Sequence, residues 1–243
     1  MANPILNEKN FSEQERVYEG SPMTINGTIQ VTAFLGLLLI CAATFVWSRY
    51  TGGYMDMAMM LTGGGVIVGF ILALIISFTN NKVLIPVYAA AEGCAIGGLS
   101  AIFESQFPGI VIQAVACTFA ALFAMLVLYK MRLITATDKF RSVIFITTAS
   151  IAAVYLVAFI GSFFFHLNVP VLNDASPLGI AVSVGITAIA ALNLIIDFDF
   201  IEKGEQMMLP KDYEWRGAFG LMVTLVWLYL EILRLLAKLN SRR

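Results

Sequence analysis

Charge is scarce in this chain. Of 243 residues only 13% are Asp, Glu, Lys or Arg, against 59% hydrophobic residues and a mean hydropathy of +0.85. Soluble domains carry about 25% charged and about 45–50% apolar residues, so the balance excludes a soluble globular fold. Histidine is nearly absent. The single His166 cannot build a histidine dyad or a multi-histidine metal centre, and no serine or cysteine stands next to it, which leaves an enzyme as the weakest reading. Cys41, Cys94 and Cys117 lie inside apolar blocks without paired spacing, which argues against disulfide and metal roles. The net charge of −1 and the want of a basic patch give no sign of a nucleic-acid partner. Residues Met1 to Thr28 are polar and lack the basic region and cleavage site of a signal peptide, so the first apolar block is expected to stay attached as an anchor.

Long apolar blocks are what the chain does have. Each is close to the roughly 20 residues a helix needs to cross a hydrocarbon core about 30 Å thick. They do not alternate apolar and polar as barrel strands would, and helices are the other way to satisfy a backbone in lipid. The expectation is an all-α membrane protein, a seven-transmembrane-helix bundle over residues 29–243 behind a polar cytoplasmic tail, 1–28. The spans run from about Ile29 to Trp47, Met57 to Phe78, Val83 to Phe103, Ile110 to Leu128 and Val143 to Phe164. A sixth opens at Ser176-Pro177, a cap followed by a first-turn proline, and a seventh runs from about Gly217 to Leu236. Gly65-Val-Ile-Val-Gly69 and Gly93-Cys-Ala-Ile-Gly97 put small residues on one helix face, where a neighbouring backbone can come close.

Sidedness follows from the basic residues. Lys130, Arg132, Lys139 and Arg141 make the densest basic loop, which the positive-inside rule places in the cytoplasm. Seven spans then put the N-terminus inside and the C-terminus outside. Arg234, Lys238, Arg242 and Arg243 break the rule at the C-terminal end, and a last segment that re-enters the membrane would repair it.

Within so apolar a chain the acids stand out, because an intramembrane carboxylate is expensive and marks a functional site by default. Glu92 lies about 13 Å into the third span and is expected to face the bundle interior, as a neutral hydrogen-bonded acid or as part of an ion path. Asp197 and Asp199 close the sixth span, with Asn193 four residues before Asp197 on the same face. Asp199 reads as an interfacial helix-end acid. Glu231 lies in the seventh span with Arg234 one turn later, a spacing that allows a local ion pair.

From the second span onward the chain resembles the Bax inhibitor family, the transmembrane Bax-inhibitor-motif proteins, in a bacterial branch. The resemblance rests on Tyr88-Ala-Ala-Ala-Glu92-Gly93 with Gly97, the basic loop before span five, Ile196-Asp197-Phe198, and Leu228-Tyr-Leu-Glu231-Ile-Leu. It implies a compact bundle with the last helix central and, in bacterial members, a pH-sensitive calcium leak gated by two aspartates that share a proton. Asp197 matches the first by position. Glu231 matches the second with glutamate in place of aspartate, and the loop between them looks longer than usual. Two carboxylates at close range in a low-dielectric site cannot both ionise easily and can hold one proton between them. Losing it would leave two hard oxygen groups suited to calcium.

Depth opposes that pairing. With span midpoints near Ala190 and Trp227, Asp197 lies about 10 Å toward the cytoplasm and Glu231 about 6 Å toward the outside. Two functions are therefore expected from different classes. One is a calcium or other cation leak in a bacterial plasma membrane, with Asp197, Glu231 and Glu92 on the path, Asn193 and Arg234 in support, and no cofactor. The other is a non-transporting partner of a membrane protein that modulates a membrane protease or cell-stress and cell-death signalling, with the tail as its handle.

Overall fold

The computed structural model describes residues 21–79, 81–165 and 174–242, the side chains of Phe163 and Phe165 excepted. Seven α-helices fill these residues: α1 Ile25–Thr51, α2 Met55–Thr79, α3 Leu84–Gln106, α4 Ile110–Lys130, α5 Asp138–Phe165, α6 Pro177–Gln206 and α7 Tyr213–Asn240. All seven are long and apolar enough to cross a membrane. The chain is thus an integral multi-pass membrane protein of the all-α seven-span class. Most of the tail and His166 lie outside the described residues.

Local chemistry sets the helix ends. Thr24 caps α1 by accepting from the Gly27 amide at 2.9 Å, and Ser176 caps α6 by accepting from the Gly179 amide at 3.1 Å, with Pro177 in the first turn as its spacing suggested. Gly109 takes a left-handed φ of 84°, and Glu104 receives the Gly109 and Val111 amides at 2.6 and 3.1 Å, which starts α4. Several helices outrun their apolar blocks. Helix α5 begins at Asp138 instead of Val143, and α6 continues through Glu202 to Gln206, so the connection expected over 202–216 shrinks to residues 207–212. Apolarity marks where a chain meets lipid, whereas helical hydrogen bonding continues into the water interface.

Helix α7 is the axis of the bundle. It packs against α1, α3, α4 and α6, and buries residues on every side, from Ala218 and Phe219 through Met222 and Leu228 to Leu233. The small-residue motifs find separate partners. Gly93 and Gly97 seat α3 against the α1 backbone at Leu39 and Ala43, and Gly65 lets α2 approach Ala91 and Ala95 of α3. Gly63 and Gly64 face open space. Helix α5 is peripheral: among its described side chains only Ile144 is fully buried.

Among the described residues no re-entrant segment occurs. Helix α7 is one unbroken helix of 28 residues, about 42 Å long, and its tail lies at the end of the bundle opposite the start of α1. The basic residues that broke the charge rule are partly internal. Lys238 is only 5% exposed and donates to the Gly179 carbonyl at 3.1 Å and the Ser183 hydroxyl at 2.8 Å, and Arg234 turns to Glu231. Cations spent inside the protein do not act as surface topology signals.

Candidate functional site

Asn193, Asp197 and Asp199, in the C-terminal half of α6, have three different sets of neighbours. Asn193 donates to the Thr148 hydroxyl of α5 at 2.9 Å and to its own Ile189 carbonyl at 2.8 Å. Asp197 hydrogen-bonds the Thr224 hydroxyl of α7. Asp199, two residues and about 200° further round the helix, is 5% exposed and ion-paired to Arg141 of α5 and to Lys203 at 3.1 Å. The sequence placed Asp199 at the interface. The structure makes it a buried ionic clamp between α5 and α6.

Asp197 lines a cavity. A space of about 330 Å³ opens at the basic end of the bundle among α2, α3, α6 and α7, with Asp197, Ser77, Tyr213 and Gly220 in its lining. Lys82 and Asp212 also line it, paired at 2.7 Å and largely exposed. Gly220 leaves room for the carboxylate: a Cβ there would stand 3.6 Å from Asp197 Oδ1. The other oxygen, Oδ2, is enclosed and has no hydrogen-bond partner among the described residues. An ionised carboxylate so placed is costly. A proton or a passing cation would relieve that cost.

Glu231 belongs to a different cluster. It is 2% exposed and receives the Tyr155 hydroxyl at 2.9 Å, the Trp227 indole N–H at 3.2 Å and Arg234 Nη1 at 3.2 Å. Arg234 also donates to the Tyr155 hydroxyl at 2.6 Å, with its guanidinium 5.0 Å from the ring centre. Thr224, which marks the level of Asp197, is seven residues and about 10 Å of helix rise from Glu231. The structure therefore does not bring the two acids together as a proton-sharing pair, and the depth argument from the sequence holds. Glu92 joins neither group. It is half-buried between α3 and α2, where a Cβ on Gly69 would lie 2.8 Å from its Oε2. Among the described residues no three His, Cys, Asp or Glu side chains converge as a metal site.

A scan against protein-family models matches residues 3–241 to the family described as Bax inhibitor 1 like. The chain belongs to that family. Searches of curated proteins and of solved structures returned no match.

In this Bax inhibitor 1 like protein the sequence reading had named Arg234 for Glu231 but had missed the partners that other helices supply. Arg141, Thr148 and Tyr155 recur every seven residues along α5 and meet Asp199, Asn193 and Glu231 in turn. Ile144 and Ile151 lie between them, so α5 presents a heptad face with polar residues at one position and apolar residues at the other. The sequence does show three hydrogen-bonding side chains at that spacing, though Ser142, Thr147 and Ser150 of the same helix lie off it. Thr224 and Trp227 carried no such mark.

Proposed function

We propose that this protein is a pH-sensitive calcium or cation leak of a bacterial plasma membrane, with Asp197 as the proton-sensing acid at the inner end of the path. The observation that carries this reading is the enclosed Asp197 Oδ2, which lacks any partner among the described residues, on a side chain that lines a cavity. When ionised, that oxygen attracts a cation from the basic end, and the Thr224 and Ser77 hydroxyls supply further hard donors. Water would complete the coordination shell, as calcium takes six to eight oxygens. Protonation removes the attraction.

Glu231 is the second acid of the path, silenced in this conformation by Arg234 and Tyr155. Opening requires that ring to part. Helix α5 is suited to move because the Arg141, Thr148 and Tyr155 links, more than apolar burial, hold it to α6 and α7. Glu92 is an accessory acid on the α2–α3 side. Purified protein in liposomes loaded with a calcium dye should leak faster at neutral than at acidic pH, and Asp197→Asn should flatten that dependence. Absence of flux at every pH would end the leak reading and leave a non-transporting modulator of a membrane protease or stress pathway in its place.

A further inference from the structure

The chain that leads into α1 is tied, at each of residues 22–25, to the corner where α6 ends and α7 begins. Pro22 forms an antiparallel bridge with Pro210, and the Met23 amide donates to the Leu209 carbonyl at 2.7 Å. Glu214 Oε1 accepts from the Thr24 amide at 3.0 Å and the Thr24 hydroxyl at 3.1 Å, and Glu205 Oε1 accepts from the Ile25 amide at 2.9 Å. Both carboxylates stand at the N-terminus of α1, where amides lack intrahelical partners and the helix dipole favours negative charge. The Met23 side chain, 1% exposed, fills a seat made by two glycines. A Cβ on Gly204 would stand 2.7 Å from its Sδ, and one on Gly217 3.6 Å from its Cε.

The same corner walls the Asp197 cavity. Tyr213, Arg216 and Gly220 give one side of the first turns of α7 to that space, and Glu214 and Gly217, on the adjacent side, meet residues 23 and 24. Asp212 also lines the cavity and is held from across it by Lys82 at 2.7 Å, but that pair is largely exposed and holds weakly. The buried Met23 and the hydrogen-bonded Glu214, 4% exposed, are the firmer tie. We propose that residues 22–25 are a strap that keeps the inner mouth of the Asp197 cavity narrow by pinning the start of α7, and that release of the strap opens it. As regulation of flux the strap rests on the leak reading; as control of access to the cavity it stands apart from it.

Ile85 of α3 lines the cavity and is only 2% exposed, so a cysteine there gauges access. The test follows Ile85→Cys in the full chain, with Cys41, Cys94 and Cys117 replaced by alanine. Its reaction with a water-soluble methanethiosulfonate is measured by mass on the peptide that carries residue 85. Gly27→Ala releases the strap from outside both strap and cavity, because a Cβ there collides with the Glu214 carboxylate, while alanine itself favours the helix. It should speed labelling at least fivefold, as should Glu214→Ala. Pro22→Cys with Pro210→Cys should lock the strap, since facing residues of an antiparallel bridge have Cα atoms about 4.5–5.5 Å apart, within disulfide reach. Added to Gly27→Ala, the disulfide should return labelling to within twofold of the parent rate, and reduction before labelling should undo this. In liposomes loaded with a calcium dye at neutral pH, the disulfide should lower flux at least threefold. Labelling within twofold of the parent in both release variants, or release that the disulfide does not reverse, overturns the strap. Faster labelling in a protein without flux at any pH keeps the strap and ends the leak reading, whereas flux that the disulfide leaves unchanged overturns the strap as its regulator.

Discussion

Replacing Arg234 by methionine tests whether Glu231 is held as a neutralised acid. The change keeps an apolar stem and removes the guanidinium that touches Glu231 at 3.2 Å and Tyr155 at 2.6 Å. Removing one partner of a fully buried pair costs about 3–5 kcal/mol. Glu231 is 2% exposed but the Arg234 side chain is 37% exposed, so solvent screening lowers the expectation to about 1–3 kcal/mol. Glu231→Gln keeps an acceptor for Tyr155 and Trp227 and loses the charge. The double variant has no stranded carboxylate, and it should be destabilised by about 1–2 kcal/mol less than the sum of the single changes. Unfolding in mixed micelles, followed by tryptophan fluorescence, measures the cycle, because the Trp227 indole itself donates to Glu231. Additivity within about 0.5 kcal/mol would refute the coupling.

Further outcomes follow from other contacts. Gly97→Leu should lower thermal stability by about 1–3 kcal/mol because any Cβ meets the α1 backbone at Ala43, whereas Gly63→Ala, facing open space, should stay within about 0.5 kcal/mol; a thermal scan in detergent compares them. Glu214 accepts from the Thr24 amide at 3.0 Å and hydroxyl at 3.1 Å, so Glu214→Ala should cost about 0.5–2 kcal/mol and speed amide exchange at the start of α1. In a cysteine-free background, Thr148→Cys with Asn193→Cys should cross-link under mild oxidation, and the outward-facing Phe145→Cys with Asn193→Cys should not. Ser241→Cys and Thr137→Cys should label from opposite sides of the membrane; labelling from one side would contradict a seven-span path.

The acid pair shows where legibility stopped. The depth of Asp197 and Glu231 was readable because helical rise converts residue counts into distance, and it kept them apart. Arg234, one turn away, was read as a partner of Glu231; the partners on other helices were not. Thr224 reaches Asp197 from α7, and Tyr155 reaches Glu231 from α5, only once these helices are packed together. Asp199 was underrated for the same reason, since the Arg141 that neutralises it is distant in sequence and adjacent only after α5 docks on α6. The sequence offered Lys130 and Arg132 as topology markers. Their place at the mouth of a groove depends on α1 and α4 standing apart.

By itself the sequence determined the class of solvent, the number of spans, the small-residue faces and the family. These follow from composition, length and periodicity, which act along the chain. Tertiary structure alone decided which glycine face met which helix, which carboxylates lined a cavity, and which cations turned inward at the C-terminal end. Lipid provides little hydrophobic force to choose among apolar helix faces. That choice falls to close backbone approach and to a few long-range polar contacts, which exist only once the helices are in place.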